Sequence, residues 1–180
     1  MIVLQPLAKC LALIMLLISC DNTPPMTKAE IVPEKQFIFE GVRIEEHEAA
    51  KLVWVGMAER STGDINNADA QGVHIRHFSK SDSVNASDQV FEIYGIRGQI
   101  GFEERKATLE DVRIETPRNG VLSGGNAVYN GKTERVQLDG PLIFKAPGLN
   151  VSAKQGEMIL SDNVINVTGP VIGRYEWNPN

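Results

Sequence analysis

Five times along the chain an apolar or small residue, a polar residue and then Gly or Asp lead into a strand-like stretch. The sites are Phe39-Glu40-Gly41, Ala70-Gln71-Gly72, Leu109-Glu110-Asp111, Leu138-Asp139-Gly140 and Val167-Thr168-Gly169. Gly and Asp enter positive φ or tight turns at low cost, so each site reads as a bend between paired strands. Another small residue, Ala58, Gly98, Ala127 or Gly156, stands thirteen or fourteen positions before each of the last four bends. That spacing fits a strand, a short turn and a returning strand in each unit. Turn-forming sequence lies between the units at Ser61 to Asn67, Glu103 to Lys106, Asn130 to Glu134 and Ser161 to Asn163. Apolar residues alternate with period two at Phe37 and Phe39, Val73 and Ile75, Val90 to Tyr94, Val112 and Ile114, Val136 and Leu138, and Ile165 and Val167. Each strand therefore turns one face to a shared interior. Short strands at such intervals make the chain all-β and predict a sandwich, jelly roll or solenoid-like sheet. The best helical candidate, Glu45 to Leu52, has no apolar stripe and reads as a turn entering a strand.

The N-terminus is of a different kind. After a charged start with Lys9, an apolar run from Cys10 to Ile18 is roughly nine residues long, against about twenty needed to span a bilayer. Residues 1–19 read as a signal peptide. Leu17, Ile18, Ser19 and Cys20 resemble the bacterial lipobox, which makes Cys20 the diacylated first residue of the mature chain. Residues 20–36, with Pro24, Pro25 and Pro33 and no apolar period, read as a lipidated tether. All 16 glycines and every aromatic residue fall in residues 37–177, about 140 residues, enough for one domain with its own core. Cleavage leaves Cys20 as the only cysteine, so packing, not a disulfide, must hold the domain together. The net charge of −5 becomes one unit more negative once Lys9 is removed. With no basic block, the charge pattern argues against nucleic acid as a partner.

Chemistry-bearing clusters are sparse. His74 and His77 stand three apart on a strand, on opposite faces and unable to converge on a metal; His47 is the third histidine. Glu45, Glu46 and Glu48, and Glu103 with Glu104, lie in polar, turn-like sequence and read as solvated charge. No nucleophile elbow or phosphate-cradling loop is visible, and Gly124-Gly125 reads as a hairpin feature. The expectation is a non-enzyme without metal or cofactor.

The order and spacing of several segments resemble a known family. Gly125-Asn126-Ala127-Val128-Tyr129-Asn130-Gly131-Lys132-Thr133, then Val136-Gln137-Leu138-Asp139-Gly140-Pro141, then Ala146-Pro147-Gly148-Leu149-Asn150-Val151, look like the C-terminal half of the LptC family, within the OstA/LptA-like superfamily. Trp54 through Ala58-Glu59-Arg60, Gln71-Gly72-Val73 and Thr108-Leu109-Glu110-Asp111-Val112-Arg113-Ile114 agree, so the likeness spans nearly all of residues 37–175. The resemblance implies a twisted antiparallel β-jelly roll, an open β-sandwich. Its groove would accept lipid A acyl chains, taking lipopolysaccharide from an inner-membrane ABC transporter and passing it to a periplasmic LptA-like protein of the same fold. Many family members carry an N-terminal transmembrane helix where this chain offers Cys20. Asp21 resembles the signal that retains lipoproteins in the enterobacterial inner membrane, which implies anchoring at its periplasmic face.

An acyl chain of about a dozen carbons leaving a membrane exposes roughly 10 kcal/mol of apolar surface at about 0.8 kcal/mol per methylene, so a carrier needs an apolar trough. Its candidate lining is Phe39, Trp54, Val73, Ile75, Ile93, Phe102, Ile114, Tyr129, Leu138, Leu142 and Phe144, which would otherwise be ordinary core. The uncharged stretch from Val164 to Gly173, with Val167, Val171 and Ile172, reads as an edge that a partner strand would join, and Gly140 as a bend beside the lipid route. The rival reading is an envelope lipoprotein with a filled core that serves as a protein-protein interaction scaffold. A third, an envelope enzyme, has no supporting group of residues.

Overall fold

The computed structural model describes residues 37–64, 67–79, 89–101 and 103–176; the proposed signal peptide, Cys20, the tether, Phe102 and Trp177 lie outside them. The strands are β1 (Phe37–Glu48), β2 (Lys51–Gly63), β3 (Ala68–Ser79), β4 (Gln89–Gly101), β5 (Lys106–Glu115), β6 (Val121–Asn130), β7 (Arg135–Ala146), β8 (Leu149–Ala153), β9 (Gln155–Ile159), β10 (Val164–Thr168) and β11 (Ile172–Tyr175). From β1 to β7 each strand pairs antiparallel with the next in sequence. The sheet then forks. Residues 135–138 of β7 pair with β9, which pairs with β10, while residues 142–146 pair with β8, which pairs with β11. The sheet stays open, with β1 at one edge and β10 and β11 at the other.

Pairing lapses near the middle of each of the seven long strands, and these lapses line up; β1 and β2 have a second irregularity, a register shift between Glu46 and His47. The aligned lapses fall at Gly41, Glu59, Gly72, Ile96, Asp111, Gly125 and Gly140, then at Lys154 between β8 and β9 and at Gly169 between β10 and β11. Gly41, Gly72, Asp111, Gly140 and Gly169, the five bends legible in the sequence, have φ of 63°, 61°, 51°, 94° and 91°. Along this crease the sheet folds over, giving the all-β open sandwich, or jelly roll. All five bends differ from the expected turn between two paired strands: four kink one continuous strand, and Gly169 separates β10 from β11, which pair with β9 and β8 and not with each other. The first layer holds residues 37–40, 60–63, 68–71, 97–101, 106–110, 126–130 and 135–139 with β9 and β10. The second holds residues 42–48, 51–57, 73–79, 89–95, 112–115, 121–124 and 142–146 with β8 and β11.

The small residues before the bends have a packing reason. Gly98 pairs with Leu109, Ala127 with Leu138 and Gly156 with Val167, so each small residue faces the apolar residue of a bend across the ladder. A Cβ on Gly98 would come 2.8 Å from a Leu109 methyl and 2.5 Å from the Thr108 carbonyl oxygen. Large and small residues alternate along the row, as close packing requires. Ala58 belongs to the core but pairs with Val42.

Other expectations need correction. Glu45 to Glu48 complete β1, and only Ala49-Ala50 turn, with φ of 49° and 66°. Positive φ at both central residues matches the right-handed twist of a two-residue hairpin, and this geometry overrides the poor fit of alanine there. Ser61 to Gly63 belong to β2 and not to the turn that follows. Gly124-Gly125 form no hairpin: they lie inside β6, where the register with β7 shifts across the crease.

Candidate functional site

Between the layers the interior is filled in the middle and open at both ends of the stack. Ile75, Ile93 and Ile114 are fully buried side by side on three successive strands. Of the expected lining, Trp54, Val73, Ile75, Ile93, Ile114, Tyr129, Leu138 and Leu142 all belong to this closed core, so an open trough running through all of them is not what the structure contains. Phe102 lies outside the described residues. Phe39 and Phe144 line the two mainly apolar cavities at the ends of the stack, while Val73 and Leu138, though buried, border shallow polar clefts.

The open ends follow from the topology. An inner-face side chain on an edge strand has a neighbouring strand on one side only, so its apolar row is left unfinished. At the β1 end a cavity of about 730 Å³ is lined by Phe37, Phe39, Val42, Ile44 and Ala68, with Arg43 and Asp64 at its rim. Phe37 and Phe39 are half exposed, their ring centroids 6.1 Å apart. At the other end a cavity of about 420 Å³ is lined by Phe144, Leu149 and Val151 of the second layer and Ile165 and Val167 of the first. Both fall within the roughly 300–1,000 Å³ usual for small-ligand sites. Sequence reading missed Phe37, Val42, Ile44, Leu149, Val151 and Ile165 as lining, because alternation marks them as inward-facing without saying which strands end the sheet.

The expected partner-binding residues divide. Ile172 lies on the outer edge strand β11 and is 67% exposed. Val164, on β10, is exposed on the outer face, while Val167 packs against the core. Val171 is half exposed but lies in the connection before β11, on no ladder. Gly140 sits on the crease with open space where a Cβ would project.

Opposite the crease, the free margins of the two layers meet through polar side chains. Arg105, in the turn between β4 and β5, bridges to Glu46 and, at 3.3 Å, to Glu48 on β1. Ser79 at the end of β3 donates to Glu134 in the turn between β6 and β7, at 3.3 Å. His77 Nδ1 is 3.1 Å from the Tyr129 hydroxyl of the opposite layer, and its Nε2 stands 3.7 Å from Glu134, too far for a hydrogen bond. Burial pushes His77 below the ordinary imidazole range, with Glu134 opposing, and burial pushes the Tyr129 hydroxyl up. Glu46 and Glu48 are therefore paired with an arginine, where the sequence read as solvated charge.

On the outer face, His74 stacks on Tyr94 at 4.4 Å and lies 2.5 Å from Glu92, which also receives Arg76 at 2.9 Å. His74 and His77 point to opposite faces, as their spacing requires. At the β1 end, a hydrogen bond from Arg43, with His47 adding, holds the Glu45 carboxyl below the usual carboxylate range. No group of three or more His, Cys, Asp or Glu side chains that could hold a metal forms among the described residues. No protein-family model matches the chain, and no curated protein matches it.

Proposed function

We propose that this chain is an LptC-like carrier, a non-enzymatic lipoprotein held at the periplasmic face of the inner membrane by acylated Cys20. It receives lipopolysaccharide from an inner-membrane ABC transporter and hands it to a periplasmic LptA-like protein of the same fold. The observation that carries this reading is the pair of apolar cavities at the ends of an unclosed folded sheet, each beside an edge strand. Acyl chains lying there bury their methylenes against Phe37, Phe39, Val42 and Ile44 on arrival, and against Phe144, Leu149 and Val151 on departure, each methylene worth about 0.8 kcal/mol. An incoming strand of like fold would continue the sheet and extend the apolar row from one protein into the next.

The filled middle favours a second reading, an envelope lipoprotein that docks proteins through its edges and moves no lipid. Site-specific photocrosslinking separates the two. A photoreactive residue at Phe39 or Phe144 is expected to capture lipopolysaccharide in cells, and one at Ile75 to capture none. Absence of lipid adducts at both Phe39 and Phe144, with protein adducts at the edges, would leave the scaffold reading standing.

A further inference from the structure

We propose that the polar contacts along the margin opposite the crease form a releasable clasp, through which an acyl chain enters the sandwich sideways; the entry step rests on the carrier reading above. The contacts that tie the two layers there are Arg105 with Glu46 and Glu48, Glu134 with Ser79, and Tyr129 with His77. The Arg105 pairs with Glu46 and Glu48 form the partly exposed rim of this margin, where water can replace them at small net loss; His77, Ser79 and Tyr129 lie buried behind them.

Two further observations fall on the same row. Glu46, Trp54, His77 and Phe91 are successive cross-strand partners on the inner face, and Ser79 pairs with Gln89 next to them. The three buried side-chain polar atoms without a hydrogen-bond partner among the described residues, Trp54 Nε1, His77 Nε2 and Gln89 Oε1, all belong to this corner. Buried polar groups left unpaired lower the cost of letting water in. The backbone agrees. Four turns carry a non-glycine residue at φ between 52° and 60°, Arg105, Asn119, Glu134 and Asn163. Asparagine tolerates that conformation readily, whereas arginine and glutamate do not. Of these four, the two that fit it poorly, Arg105 and Glu134, are the two that reach across the margin.

This pattern suggests the test. Arg105→Asn with Glu134→Asn removes both cross-layer side chains and gives each turn the residue that Asn119 and Asn163 already place there, so the strands should be retained. In a Trp177→Phe background Trp54 is the only tryptophan. Acrylamide should quench Trp54 weakly in the parent chain and several-fold more steeply in the double variant, with far-ultraviolet circular dichroism unchanged. Glu46→Gln, which leaves both turns intact, should shift quenching in the same direction. If quenching is unchanged in both, the margin is not held by these contacts and the clasp is overturned. 12-Bromododecanoate, whose tail bromine quenches indole, reads lipid entry separately. It should quench Trp54 faster in the double variant than in the parent. Equal rates would overturn side entry through the clasp while leaving the carrier reading intact. Raised acrylamide access with no quenching by the bromoacid in either protein would uphold the clasp and count against the carrier.

Discussion

At the scale of single residues, two glycines separate two kinds of constraint. Gly140 has φ of +94° and open space where a Cβ would go, so the cost of replacing it is conformational. Gly140→Ala is expected to lose about 1 kcal/mol. Gly98 has no unusual φ, but a Cβ there would meet the Thr108 carbonyl oxygen at 2.5 Å, and backbone has to move to admit it. Gly98→Ala is expected to lose about 3 kcal/mol, the upper end for overpacking. Thermal unfolding checks the order, and equal losses would mean that the Leu109 row repacks without strain. Gly140→Arg meets the same conformational cost with open space for its side chain, so it should leave the fold in place. Both glycines stood out in the sequence for their positions in the repeat. The clasp did not, because Arg105 and Glu46 are 59 positions apart and alternation gives each strand an inner face without saying which residue of the opposite layer it meets.

At the scale of elements, the crease was largely legible because positive φ leaves a mark in residue choice. The marks are weaker at Glu59 and Ile96, where the register runs on unchanged across the lapse, and at Gly125, where the register with β7 slips by one residue. The last strands behave differently from the others: the chain breaks at Lys154 and again at Gly169, so each layer has its own short edge strand. For docking by strand addition these edges are distinct surfaces. Ile172→Pro removes a backbone donor from β11, whereas Val171→Pro alters a connection outside the ladder. The expected outcome is weaker capture of an LptA-like protein by Ile172→Pro and unchanged capture by Val171→Pro. If neither changes capture, docking moves to β1, where residues 37–44 form the opposite edge.

At the scale of the whole molecule, the proposed acyl anchor at Cys20 and the sandwich can be tested separately. Two acyl chains give stable membrane residence where one is marginal. Cys20→Ala is therefore expected to release the chain from the membrane into the soluble periplasmic fraction without altering its strand content. Retention in the membrane with residue 1 still present would mean that the first nineteen residues are themselves the anchor. The order of pairing from β1 to β7 bears on how such a chain reaches its final form. Every pairing in that stretch closes a hairpin between sequence neighbours, so little loop entropy is spent before contacts form, and low contact order goes with fast folding. The last strands are an exception, since β9 pairs with β7 past β8, and β11 pairs with β8 past β9 and β10. Refolding should therefore begin as a zipper of hairpins and finish at the C-terminal fork, leaving the open edge the last part of the molecule to acquire its shape.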